Sequence, residues 1–132
     1  MTLVDTNVVI DVLAEDADWY SWSSQKLEEI AKKGPVLMNE ITYAELAYRV
    51  ADEAGLRSAL TSLGLTLGRT PDHGLFLAGR AFAAYRASGG PRTTLLADFL
   101  IGAHAEAEGQ PILTRDPRRF RSYFPKVTLI TP

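Results

Sequence analysis

Short apolar runs alternate with longer amphipathic stretches along the whole chain. "LVDT" near the N-terminus reads as a buried strand, and an apolar stretch resumes after Thr6 and Asn7. "WSSQKLEEIAKKG" has helical spacing and ends at Gly34, a favourable C-terminal stop. "PVLMN" reads as a second strand. "EITYAELAYRVADEAG" repeats Ile41, Ala44, Ala47, Tyr48 and Ala51 at helical spacing, with Gly55 as its end. "LRSALTSLG" predicts a further helical piece and "LTLGR" a short third strand. "PDHGLFLAGRAFAAYRASGG" predicts a helix with Pro71 near its start and Gly89–Gly90 as its stop. "TTLLADFLIGAHAEAEG" is the next helix, capped by Thr93 or Thr94. "PILT" and "VTLI" complete the set of strands.

Strand alternating with helix implies βαβ units and a parallel sheet. The strands are apolar throughout, as they are when helices cover both faces. The expectation is an α/β fold: a three-layer α/β/α sandwich with a central parallel sheet of about five strands, formed by residues 1–132 as one domain. A chain of 132 residues, 46% hydrophobic and 23% charged, can build such a core without staples. It has no cysteine, which excludes disulfides and thiolate metal sites. No basic segment leads into a long apolar run at the N-terminus, and no run of about eighteen apolar residues occurs, so neither a secretory leader nor a membrane span is expected.

Net charge is −2, but it is unevenly spread. Residues 1–66 hold five Lys/Arg against eleven Asp/Glu, a net −6, and residues 67–132 hold nine against five, a net +4. Most of the positive half is arginine, including "TRDPRRFR" at Thr114–Arg121. Arginine presents a planar fork suited to phosphate. A solvated surface explains such a run equally well, although a local patch can bind polyanions on an acidic protein.

The acids stand out more. Asp5 ends the first strand, Glu45 lies in the helix after the second, Asp98 lies in the first turn or so of the helix before the fourth, and Asp116 follows the fourth. In open parallel sheets that whole rim is where ligands bind. Asp98 interrupts "LLADFLIGAHA", and a buried unpaired carboxylate there would be costly. A hard divalent cation such as Mg²⁺ or Mn²⁺ would offset that cost. Local readings stand beside this one. Asp5 could accept hydrogen bonds from the following turn, Asp98 could cap its helix, Glu45 could pair with Arg49, and Asp116 before Pro117 could mark a turn.

"VDTNVVIDVL", "ITYAELA", "LADFLIGAHA" and "ILTRDPRRF", taken in order, resemble the four motifs of PIN-domain ribonucleases, and most of all the VapC toxins of type II toxin–antitoxin systems. The resemblance covers nearly the whole chain. It implies a Mg²⁺- or Mn²⁺-dependent endoribonuclease that hydrolyses RNA with a metal-activated water. Its catalytic acids would be Asp5, Glu45, Asp98 and Asp116, with Asp5, Asp98 and Asp116 as metal ligands. Asn7 and Thr114 would orient them, while Arg115, Arg118, Arg119 and Arg121 would hold the RNA backbone. It also implies a cytoplasmic homodimer with a cognate antitoxin as partner. A PIN nuclease of RNA maturation and a non-catalytic RNA- or protein-binding PIN module are the alternatives.

Other chemistries lack their residues. His104 and His73 read as packed or surface histidines, and two histidines without cysteine do not make a common zinc site. There is no G-x-S-x-G nucleophile element and no P-loop. A haloacid-dehalogenase phosphatase wants Asp-x-Asp where Asp5–Thr6–Asn7 stands, and a receiver domain wants paired acids after its first strand. Trp19, Tyr20 and Trp22 could pack the first helix or form an exposed patch.

Overall fold

In chain order the elements are β1 (Thr2–Val4), α1 (Thr6–Leu13), α2 (Tyr20–Ala31), β2 (Val36–Asn39), α3 (Glu40–Ala47), α4 (Glu53–Ser62), β3 (Leu65–Gly68), α5 (Asp72–Ala87), α6 (Leu96–Glu108), β4 (Ile112–Leu113), α7 (Arg118–Tyr123) and β5 (Leu129–Ile130). The computed structural model describes residues 1–91 and 96–132. The cap expected at Thr93 or Thr94 lies outside the described residues. Five strands form one sheet in the order β3-β2-β1-β4-β5, and every pairing is parallel. All five expected strands are present, and the fold is the expected three-layer α/β/α sandwich.

Side chains alternate across a strand, so each central strand feeds both faces. Val4 of β1 and Leu113 of β4 pack with Val8, Leu27, Leu46 and Leu60, the face covered by α1 to α4. Leu3 and Ile112, one residue earlier on the same strands, pack with Phe99, Ile101, Phe120 and Phe124 beneath α5 to α7. Phe99 anchors that second face, with the Tyr123 ring edge-on at 5.1 Å. Gly102 lets α6 and the Phe124 ring meet, since a Cβ at that position would strike the ring.

The structure supplies two helices where the sequence reading assigned no element, and departs from that reading between Glu40 and Gly55. The apolar stretch after Asn7 is a helix, α1. Its valines favour strand by intrinsic preference, but burying Val8 and Val9 on one side outweighs that preference. The single helix expected from Glu40 to Gly55 is two helices. Asn39 Oδ1 caps the first by accepting from the Ile41 and Thr42 amides, both at 3.1 Å, and that helix stops at Ala47. Asp52 caps the second, accepting from Gly55 N at 2.7 Å, so Gly55 sits inside a first turn rather than at an end. The buried face of α3 is also different. Thr42 and Leu46 are its buried residues, while Ala44, Ala47 and Tyr48 are exposed. Finally, the arginine-rich run contains the short helix α7, anchored by buried Phe120. Among the described residues no helix is long and apolar enough to cross a membrane.

Candidate metal and nucleic-acid site

The order of the sheet fixes where a ligand can sit. From β1 the chain builds outward to β2 and β3, then crosses back to place β4 on the other side of β1. The crevice beyond the carboxyl ends of β1 and β4 is therefore the topological switch point. Asp5 follows β1 directly, and Thr114 and Asp116 follow β4.

Asp5 is the centre of the arrangement. It occupies the N-cap position of α1 but makes no side-chain cap to it. Its Oδ2 instead accepts from Thr114 Oγ1 at 2.7 Å and from Asn7 Nδ2 at 3.1 Å. The side chain is 6% exposed. Burial pushes its pKa up to about 7; the Asp98 and Glu45 charges add to the rise, against the Thr114 hydroxyl and the Thr6 amide. Asp5 thus has Asp98 and Glu45 as charged neighbours.

Short links tie the remaining acids to this centre. Thr6 Oγ1 bridges to Glu45 Oε1 at 2.8 Å and to Thr42 Oγ1 at 3.1 Å, which binds α3 to the start of α1. Thr114 Oγ1 also accepts from the Asp116 amide at 3.0 Å. Asp98, on α6, and Asp116 line one cavity of about 230 Å³ together with Arg118 and Arg119. In that cavity Arg119 Nη1 donates to Asp98 Oδ2 at 3.0 Å. Arg118 grips both oxygens of Asp116 at 3.0 and 3.2 Å, which holds that carboxyl below its usual range. A cavity of about 640 Å³ lies elsewhere, along β3, with Arg57 paired to Glu53 inside it, and it contains none of these acids.

The four predicted acids therefore share one edge of the sheet, but not as a finished cage. Among the described residues no three acidic or histidine side chains lie close enough to hold an ion as they stand. Arg118 and Arg119 are paired with Asp116 and Asp98. Asp5 and Glu45 have no cationic partner among the described residues. The donors facing the crevice are carboxylate and hydroxyl oxygens, the chemical set that a hard divalent cation takes. Of the local alternatives, Asp5 does accept from the Thr6 amide of the following turn, whereas the Glu45–Arg49 pair does not form. Glu45 bonds Thr6 rather than Arg49, whose guanidinium lies 5.1 Å from the Tyr48 ring centre.

A family model described as the PIN domain matches residues 2–124. The chain belongs to the PIN-domain family. No curated protein matches it by sequence. Among solved structures, this PIN domain is similar to VapBC2 from Rickettsia felis bound to a promoter DNA fragment, with 21% identity over 98% of this chain and 97% of that one, at a TM-score of 0.73. It is also similar to VapBC-1 from nontypeable Haemophilus influenzae (17% identity, 98% and 96% covered, TM-score 0.73) and to a toxin–antitoxin complex from Klebsiella pneumoniae (23% identity, 100% and 98% covered, TM-score 0.67). At these identities the likeness is one of fold.

Within the PIN domain, sequence reasoning missed Thr6, which holds Glu45 and is bonded to Thr42, and Asp11 with Ser23. Asp11 carried a signal: it breaks the apolar run "NVVIDVL" as Asp98 breaks its own. Of the four arginines expected on RNA, Arg121 is exposed, Arg118 and Arg119 sit on the acids, and Arg115 is committed to Asp11. His104 is buried beside Thr70, as a packed histidine, and burial lowers its pKa. Trp22 packs against the core, Tyr20 is exposed, and Trp19 lies under Arg115.

Proposed function

We propose that this PIN domain is a Mg²⁺- or Mn²⁺-dependent endoribonuclease and the toxin of a VapBC-like toxin–antitoxin pair, working in the cytoplasm as a homodimer held in check by its cognate antitoxin. The observation that supports the nuclease reading is that three carboxylates from separate elements, Glu45, Asp98 and Asp116, share the switch-point edge with buried Asp5. The likeness to complexes of toxins with antitoxins supports the protein partner, and the dimer follows from the family resemblance.

Asp5, Asp98 and Asp116 would hold the ion. When bound, it would supply a water nucleophile at neutral pH and neutralise charge on the scissile phosphate. The chain's own residues do the rest. Thr114 and Asn7 fix the rotamer of Asp5 through its Oδ2. Thr6 holds Glu45 by Oε1, leaving Oε2 to orient the attacking water or take its proton. Arg118 and Arg119 exchange their carboxylates for phosphate oxygens when RNA enters, and exposed Arg121 extends the basic surface. A single-stranded loop suits this open edge, because its bases are accessible.

The test is cleavage of an RNA panel by the purified chain. Cleavage is expected with Mg²⁺ or Mn²⁺, none in EDTA, and ends carrying 5′-phosphate and 3′-hydroxyl. Asp5→Asn, Asp98→Asn and Glu45→Gln should each abolish it while keeping the fold. RNA binding without cleavage under all metal conditions would favour a non-catalytic module.

A further inference from the structure

We infer that the Asp11–Arg115 ion pair is a positioning strut that sets the Thr114–Asp116 turn against Asp5, and this role rests on the nuclease reading above. Arg115 sits between two residues already placed in the site. Its guanidinium turns the other way, into the α1–α2 layer. There Nε donates to Asp11 Oδ2 at 2.8 Å and Nη2 to Asp11 Oδ1 at 3.1 Å. Ser23 Oγ of α2 donates to the same carboxylate at 2.8 Å, and Asp11 is 1% exposed. The Trp19 ring lies 5.4 Å from the guanidinium carbon, and the Arg115 side chain is only about a third exposed, at 31%.

Stability alone gives little reason for this pair. A buried ion pair is often no better than apolar side chains of similar volume. Its location supplies the reason. Thr114 bonds Asp5 at the beginning of α1, and Arg115 bonds Asp11 further along the same helix. Two successive side chains thus pin the turn to α1 at two points. One attachment would let the turn pivot; two fix its direction, and with it the direction in which Asp116 enters the cavity shared with Asp98. A bidentate fork on a buried carboxylate resists rotation in a way that a lysine's point charge cannot.

The competing role is an Arg115 that grips RNA phosphate, and the two separate cleanly. The variants are Asp11→Asn, Arg115→Lys and, should the first unfold the chain, the apolar pair Asp11→Leu with Arg115→Met. Readouts are kcat and KM for Mg²⁺-dependent RNA cleavage, the salt dependence of RNA binding, and amide exchange at Asp116 by NMR. The strut predicts that all three variants lose at least about tenfold in kcat, the scale expected when a reacting group is displaced by a fraction of an ångström. KM and the salt slope should stay near wild type, and Asp116 exchange should speed up about tenfold. A wild-type kcat for Arg115→Lys would overturn the strut, as would a raised KM with a flatter salt slope. If the wild-type chain cleaves no RNA, the nuclease reading fails, and Asp116 exchange still decides whether the pair holds the turn.

Discussion

Replacing Asp5 by asparagine keeps the shape of the side chain and removes its charge. The folded protein holds this carboxyl at about 7, against an ordinary value of 3.8. A gap of about 3 pK units at about 1.4 kcal/mol each makes the buried charge cost about 4 kcal/mol above pH 7. The sign follows from proton counting. Between the two values the folded state keeps a proton that the unfolded state has lost, so stability falls as pH rises from about 4 to about 7 and stays low above that. Asparagine escapes this cost. It loses the charge-assisted part of the bonds from Thr114 and Asn7, about 1–2 kcal/mol. In EDTA at pH 8, Asp5→Asn should therefore be more stable than wild type by about 2 kcal/mol. At pH 5, where wild-type Asp5 is largely protonated, the advantage should vanish or reverse. Urea unfolding at both pH values measures the difference directly, and RNA cleavage by the same preparation should be lost. An asparagine variant that unfolds earlier than wild type at pH 8, or a difference that ignores pH, would refute the view of Asp5 as an anion held for function at the expense of stability.

Thr6→Val removes the hydroxyl that holds Glu45; kcat for RNA cleavage should fall about tenfold, with a stability loss of about 1–2 kcal/mol in urea. Arg119→Gln frees Asp98, so calorimetry should find divalent-ion binding tightened several-fold while KM for RNA rises and its salt dependence flattens. Gly102→Ala drives a methyl into the Phe124 ring and should cost about 1–3 kcal/mol in the same urea assay.

What the sequence made legible is what periodicity and chain position encode. All five strands could be read because each is a short apolar run bounded by turn residues, and alternation with helices then placed Asp5, Glu45, Asp98 and Asp116 on one edge. What escaped depends on partners far away in the chain. Residues Val8 to Val12 look like strand by propensity, and their helix exists because α2 and the sheet bury it. The break between α3 and α4 turns on Asp52 acting as a cap, a choice an unbroken helical pattern hides. Arg115 looked like its neighbours in "TRDPRRFR", yet its fork reaches Asp11, more than a hundred positions away. Nor could spacing show that Arg118 and Arg119 close over the carboxylates.

The central claim is that these four acids act as one divalent-cation site. Titration of Mn²⁺ into the purified chain, followed by electron paramagnetic resonance, measures it without any substrate. Saturable binding in wild type that disappears in Asp5→Asn and in Asp98→Asn is the expected result. No binding in wild type, or binding undiminished by either change, would contradict the account.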